Sequence, residues 1–236
     1  MVKIEEIKED PKAMEALLGN QLISEPKGAK PLSTTKALAG KDLVLLYFSA
    51  SWCPPCQSFS PRLKEFYAHV KDSIEIVYIS SDRSIAEFEG YYGKMPWLSL
   101  PPTNSAHIKN KLAQACQITG IPALLVLDRA TGYFITDQAR THVEQWKNNS
   151  ATKEAALQLV AQWKETEAAP LSEAKFNSGG GPGGLMGIFM WFAKNPAMIF
   201  GLIYIVKVRS RAIRLVTLRC LEGPSFEGLQ SLCSLL

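Results

Sequence analysis

Two cysteines separated by two prolines, in Trp52-Cys53-Pro54-Pro55-Cys56, have the residue types and the spacing for dithiol chemistry. Residues three apart on a helix share a face, which brings the two sulfurs within disulfide reach. The apolar run Leu43-Val44-Leu45-Leu46-Tyr47-Phe48 upstream has the length and content of a strand covered on both faces. Downstream the period turns helical, with Phe59, Leu63, Phe66 and Val70 on one side. Cys53 therefore closes a strand and opens a helix, where unpaired N–H groups and the helix dipole favour a thiolate. Pro54 and Pro55 fit the first helical positions but cannot donate, so the Cys56 N–H is the expected first donor to the Cys53 sulfur. Cys56 is then the inward resolving thiol, able to attack a mixed disulfide formed at Cys53.

A structural zinc site needs two further ligands at short spacing, and the sequence supplies none: Cys116, His69, His107 and His142 each stand alone. No metal and no bound cofactor are expected. Cys116 reads as a buried apolar thiol. The five cysteines are odd in number and scattered, and Met1-Val2-Lys3-Ile4-Glu5-Glu6 shows no secretory pattern. These features point to a reducing compartment, where a lone CxxC is more often catalytic or metal-binding than structural.

The elements that must position the pair follow from the pattern. Ile4 to Leu18 has loosely helical spacing broken by Pro11, and Pro61 is expected to kink the helix that begins at the cysteines. Ile74-Glu75-Ile76-Val77-Tyr78-Ile79 and Ala123-Leu124-Leu125-Val126-Leu127 read as further central strands, the latter returning through Asp128 to Gly132 into a hairpin with Tyr133-Phe134-Ile135. Residues 84–92, 106–116 and 151–165 read as helices. The class is α/β, a mixed sheet with helices on both faces. Ile121-Pro122 stands at the start of the third strand, and X-Pro is the one common site of a cis peptide. A cis bond there would lie beside the CxxC and offer the Ile121 backbone to a substrate strand.

This domain is expected to span residues 1–167, followed by a Gly/Pro-rich linker at 168–184 that includes Gly179-Gly180-Gly181-Pro182-Gly183-Gly184. The glycine run lacks the Gly-Lys-Ser/Thr ending of a phosphate loop. Residues 185–206 carry one charge, Lys194, over 22 residues, long enough to cross a bilayer core of about 30 Å. A basic segment, 207–236, follows with Lys207, Arg209, Arg211, Arg214 and Arg219. Over residues 1–170 the 19 basic and 19 acidic side chains balance, so nucleic-acid binding by the domain has no electrostatic support. An interfacial helix pair broken at Pro196 is the alternative to a membrane span.

Three blocks go beyond a generic fold: Tyr47-Phe48-Ser49-Ala50-Ser51-Trp52-Cys53-Pro54-Pro55-Cys56, Tyr91-Tyr92-Gly93-Lys94-Met95-Pro96-Trp97 and Gln138-Ala139-Arg140-Thr141. Together they resemble the tryparedoxins, with nucleoredoxins the nearest relatives, over about residues 16–146. The resemblance implies a thioredoxin-like fold and a dithiol carrier that takes electrons from trypanothione and passes them to peroxiredoxin-type peroxidases. By position it implies that Cys53 is the nucleophile, Cys56 the resolving thiol, Trp52 an aromatic lid and Pro122 the cis proline. Pro54, Pro55, Ile121 and Arg140 would contact substrate. Ordinary thioredoxins hold a buried Asp where this chain has Tyr47. The family's Arg after the CxxC is Gln57 here, and the Arg two positions beyond Arg140 is His142, so two fixed positive charges are missing. The competing expectation is a redox-regulated binding protein of the nucleoredoxin kind. With residues 185–206 as a tail anchor, the domain would face the cytosol, most naturally from the mitochondrial outer membrane.

Overall fold

In the computed structural model, which describes residues 10, 12–27, 31–103 and 105–174, the elements run in chain order as follows. Helix α1 (Ala13–Leu18), strands β1 (Gln21–Leu22) and β2 (Leu32–Ser33), and helix α2 (Thr34–Ala37) precede strand β3 (Leu43–Ser49). Helix α3 (Pro54–Val70), strand β4 (Ile74–Ser80), helix α4 (Ile85–Tyr92), strand β5 (Leu98–Ser99) and helix α5 (Ala106–Ala115) form the middle. Strands β6 (Ala123–Asp128) and β7 (Phe134–Thr136) and helices α6 (Ala139–Asn149) and α7 (Lys153–Glu165) complete the described fold.

β3 sits at the centre of a five-stranded sheet of order β5-β4-β3-β6-β7, parallel to β4 and antiparallel to β6. All seven of its residues are buried, which explains a continuous apolar run where a half-exposed strand would alternate. Its side chains divide by parity. Leu43, Leu45 and Tyr47 join a core with Phe59, Leu63 and Phe66 of α3, Val143 and Trp146 of α6, and Val160 and Trp163 of α7. Val44, Leu46 and Phe48 join the opposite core with Met14 and Leu18 of α1 and Leu112 of α5. The sheet is thus covered on both faces, as the pattern predicts.

The β6–β7 hairpin turns through Asp128, whose carboxylate accepts from the Thr131 N–H at 2.8 Å and the Thr131 hydroxyl at 2.6 Å. Gly132 closes the turn with φ of 72°, and a Cβ there would come within 3.3 Å of both Leu17 and Ala13 side chains. α4 and α7 are capped by Ser84 and Thr152, whose side chains accept from Glu87 N and Ala155 N, each at 3.2 Å.

The structure adds to the sequence pattern at three places. α3 runs unbroken for 17 residues through Pro61, with Ser60 Oγ bonded to the Cys56 carbonyl one turn back at 3.0 Å. The boundary expected at 167 falls inside the domain. Ala169 and Phe134 exchange backbone bonds of 2.8 and 2.9 Å, and Leu171 and Ala174 pack on the core, because β7 would otherwise present an unpaired edge. α6 was hidden in the sequence by its polar content and is fixed by Ala139, Val143 and Trp146 facing the sheet. Among the described residues no helix is long and apolar enough to cross a membrane. Residues 185–206, where a span is expected, and 207–236 lie outside the described residues, as does most of the pattern before Lys12.

Candidate active site

Three residues separate Cys53 from the end of β3, and it is the N-cap of α3. Its extended backbone, φ −97° and ψ 107°, turns the chain from strand to helix. Pro54 and Pro55 occupy the first two helical positions. The Cys56 N–H donates to Cys53 Sγ at 3.3 Å, the geometry that two donor-less prolines leave open. The two cysteines are paired with Cα atoms 5.2 Å apart, within disulfide reach. Cys53 is 5% exposed and Cys56 is fully enclosed. A thiolate arriving from solvent therefore meets Cys53 first.

The Ile121-Pro122 peptide is cis. It lies against the pair: Ile121 packs on Cys53, Cys56 and Ala50, and its carbonyl oxygen is 3.7 Å from Cys53 Sγ. One backbone acceptor is thus held beside the reactive sulfur, where an extended substrate segment could align.

Trp52 is 43% exposed, a large apolar surface next to Cys53. A loop that sequence reasoning did not single out, Ser81-Asp82-Arg83 after β4, holds it in place. Trp52 Nε1 donates to the Ser81 carbonyl at 3.0 Å, and the Arg83 guanidinium sits 4.9 Å from the centre of the indole ring. Asp82 Oδ1 accepts the Ser51 N–H at 2.6 Å, while Oδ2 accepts from the Tyr78 hydroxyl at 2.6 Å and the Ser80 hydroxyl at 2.7 Å. The available signal was positional: a loop at the C-terminal end of a parallel strand next to β3 must border the β3–α3 turn.

Beneath the disulfide, hydroxyls take the place of a carboxylate. Tyr47 OH and Ser60 Oγ are 2.8 Å apart, Ser60 Oγ and Tyr91 OH 2.7 Å, and Tyr91 OH and Ser49 Oγ 3.2 Å. Burial pushes the Tyr47 hydroxyl pKa well above its ordinary value, so it stays neutral and acts only through hydrogen bonds. A groove of about 730 Å³ opens beside this network, lined in part by Ser51, Gln57, Tyr91 and Trp97.

The remaining residues singled out in the sequence lie as follows. Gln57 folds back on the active-site turn, its amide donating to the Ser51 carbonyl. Arg140, at the start of α6, is paired along its own helix with Glu144 at 3.1 Å. His142 accepts the Trp163 indole N–H on Nδ1 at 3.1 Å, and burial lowers its pKa. Cys116 is buried at the end of α5, its thiol pushed up to about 12 by desolvation.

A family profile described as thioredoxin-like matches residues 40–133, the stretch from β3 to the β6–β7 turn. The tryparedoxin of Trypanosoma brucei brucei is 47% identical over 109 residues, covering 45% of this chain and 74% of that protein. The chain belongs to the thioredoxin-like family of tryparedoxins and nucleoredoxins. Probable nucleoredoxin 1 of Arabidopsis thaliana is 39% identical over 144 residues, covering 58% of this chain but 24% of the longer plant protein. The solved structure of tryparedoxin II complexed with glutathionylspermidine aligns with a TM-score of 0.53 at 35% identity, covering 58% of this chain and 95% of that one. This tryparedoxin relative is a thioredoxin-like oxidoreductase with Cys53 and Cys56 where a redox-active pair belongs.

Proposed function

We propose that the domain is a protein-disulfide reductase that carries electrons from a low-molecular-weight thiol of the trypanothione type to protein disulfides, among them those of peroxiredoxin-type peroxidases. The observation that carries this reading is the asymmetry of the pair: Cys53 borders solvent and caps a helix, and Cys56 is sealed behind it. In the oxidised protein a donor thiolate attacks Cys53 Sγ and Cys56 leaves as the thiolate. A second donor thiolate then attacks the donor sulfur of this mixed disulfide, forming the donor disulfide and releasing Cys53 as the thiolate, and proton uptake completes the dithiol. In the other half-reaction the Cys53 thiolate, stabilised by the Cys56 N–H and the helix terminus, attacks a substrate disulfide. Cys56 resolves the mixed disulfide, so two electrons and two protons leave for each substrate bond reduced. Trp52 covers the reacting sulfurs, and Pro54, Pro55, Ile121 and Pro122 shape the surface on which a substrate segment lies. Glutathionylspermidine in the related tryparedoxin II supports a peptide-like thiol as donor. We further propose that residues 185–206 tether the domain to a membrane, with the domain on the cytosolic side of the mitochondrial outer membrane.

Steady-state reduction of a protein disulfide, with thiol in excess, tests the assignment. Cys53→Ser should abolish turnover, and Cys56→Ser should accumulate mixed disulfides with substrate, visible as a mass shift removed by reductant. Near-normal turnover by Cys53→Ser would overturn it. Similarity to nucleoredoxin over 144 residues keeps a second reading open, a redox-gated binding protein. That protein would bind partners differently in its two redox states and turn over poorly.

A further inference from the structure

The geometry points to Arg83 as the residue that selects disulfide and thiol partners by charge, favouring those with a carboxylate near the reacting sulfur. The inference rests on the oxidoreductase reading and names the partner chemistry of the same site. Arg83 is exposed, and its guanidinium lies over the Trp52 ring, which borders Cys53 in sequence. The two neighbouring carboxylates are engaged by other donors. Asp82 is held by Ser51 N, Tyr78 OH and Ser80 OH, and Glu87 Oε2 accepts the backbone N–H of Arg83 at 2.8 Å. Among the described residues no carboxylate forms an ion pair with the Arg83 guanidinium. The guanidinium over the indole has its forked donors unclaimed by any carboxylate among the described residues, so they can meet a bidentate carboxylate.

The other positions from which the family resemblance draws positive charge do not supply it in the same form. Gln57 is neutral and bonded to the Ser51 carbonyl, and Arg140 is paired with Glu144. Arg83 therefore gives the Trp52 edge of the site a charge-bearing hydrogen-bond donor fixed by an aromatic platform. The preferred group is the carboxylate of a small peptide thiol or of an acidic side chain flanking a protein disulfide.

The test uses the full chain, pre-reduced, with three small disulfides: anionic glutathione disulfide, neutral hydroxyethyl disulfide and cationic cystamine. At low ionic strength, Arg83→Glu should lower the ratio of the second-order rate constant for oxidation by glutathione disulfide to that for oxidation by hydroxyethyl disulfide roughly tenfold. The same variant should raise the cystamine ratio, and Arg83→Gln and Arg83→Lys should fall between, because Lys keeps the charge but lacks the bidentate fork. Salt should shrink all these differences, because exposed charges are screened. A pair of peptide disulfides flanked by Glu or by Lys separates the two sources of carboxylate. A charge effect confined to the small disulfides assigns Arg83 to the thiol donor, and one confined to the peptides assigns it to the protein substrate. Equal losses on all three small disulfides would show that Arg83 only props Trp52, and unchanged ratios would show that it faces no partner; either overturns the inference. Failure of the wild-type protein to reduce even the neutral disulfide would instead overturn the oxidoreductase reading beneath it.

Discussion

Two cysteine environments in one small domain show how position decides reactivity. Cys53 sits at a helix N-terminus with a backbone donor 3.3 Å from its sulfur, whereas Cys116 is buried among apolar side chains with no compensating charge. Desolvation pushes the Cys116 thiol up to about 12, above the roughly 8.5 of a free cysteine. The folded protein thus holds this proton more tightly than the unfolded chain does. Its contribution to stability is complete below the unfolded pKa and is lost as pH rises through that value toward the folded one. By about pH 10 the loss from this single group should be on the order of 2 kcal/mol. Urea unfolding of the oxidised protein at pH 7.5 and 10 checks it, because Cys116→Ala should lack this increment of alkaline sensitivity while retaining that from the buried tyrosines. Equal pH sensitivity in the two proteins would contradict a sealed Cys116. Its turnover should stay within about twofold of wild type, since the thiol takes no part in exchange.

At the scale of elements, the legible parts were those where apolar period and burial coincide. β3, β4 and β6 are buried on both faces and announce themselves as continuous apolar runs, and Cys53 at the β3–α3 junction follows from the change of period. β4 even carries Glu75 into the core, where Tyr67 OH donates to it at 2.9 Å. What escaped was set by tertiary contact. β5 has two residues and exists through its pairing with β4, and the loop 81–83 became part of the site only once it was placed against Trp52. α6 escaped for the same reason, and its contact with α7 gives His142 a structural role that its place in a family motif did not suggest. His142 accepts the Trp163 N–H through an unprotonated nitrogen, and burial lowers its pKa. This stability is present above the unfolded histidine pKa of about 6.5 and is lost as pH falls through the folded value. His142→Gln keeps an acceptor but cannot protonate, so its thermal midpoint should fall less than that of wild type between pH 7.5 and 5. Parallel decreases would remove His142 from the α6–α7 contact.

For the whole molecule, the question is how the redox fold relates to the apolar segment that follows it. The described fold packs through Ala174, and the glycine run 179–184 separates it in sequence from residues 185–206. Ten Leu, Ile, Phe and Val residues in that segment favour insertion by roughly 3 to 6 kcal/mol, against about 2.5 to 3.5 kcal/mol opposing it from a central Lys194. Asn195 and Pro196 oppose insertion as well, so the balance is close and one charge can decide it. Lys194→Leu should therefore strengthen membrane retention, and truncation after Gly184 should abolish it. Orientation sets two effects against each other. The basic residues after 206 favour the cytosolic side by the positive-inside rule, but translocating a short basic segment is easier than translocating a folded domain of this size. A dithiol that must be re-reduced also needs the thiol pool of a reducing compartment. These arguments support the proposed cytosolic orientation of the redox domain. The check is extraction of membranes from cells expressing full-length, Lys194→Leu and truncated protein with an N-terminal tag. Resistance to alkaline carbonate is expected for the first two, with the tag digested by protease added to intact mitochondria. Release of the full-length protein by carbonate would support the interfacial alternative, and protection of the tag would reverse the orientation.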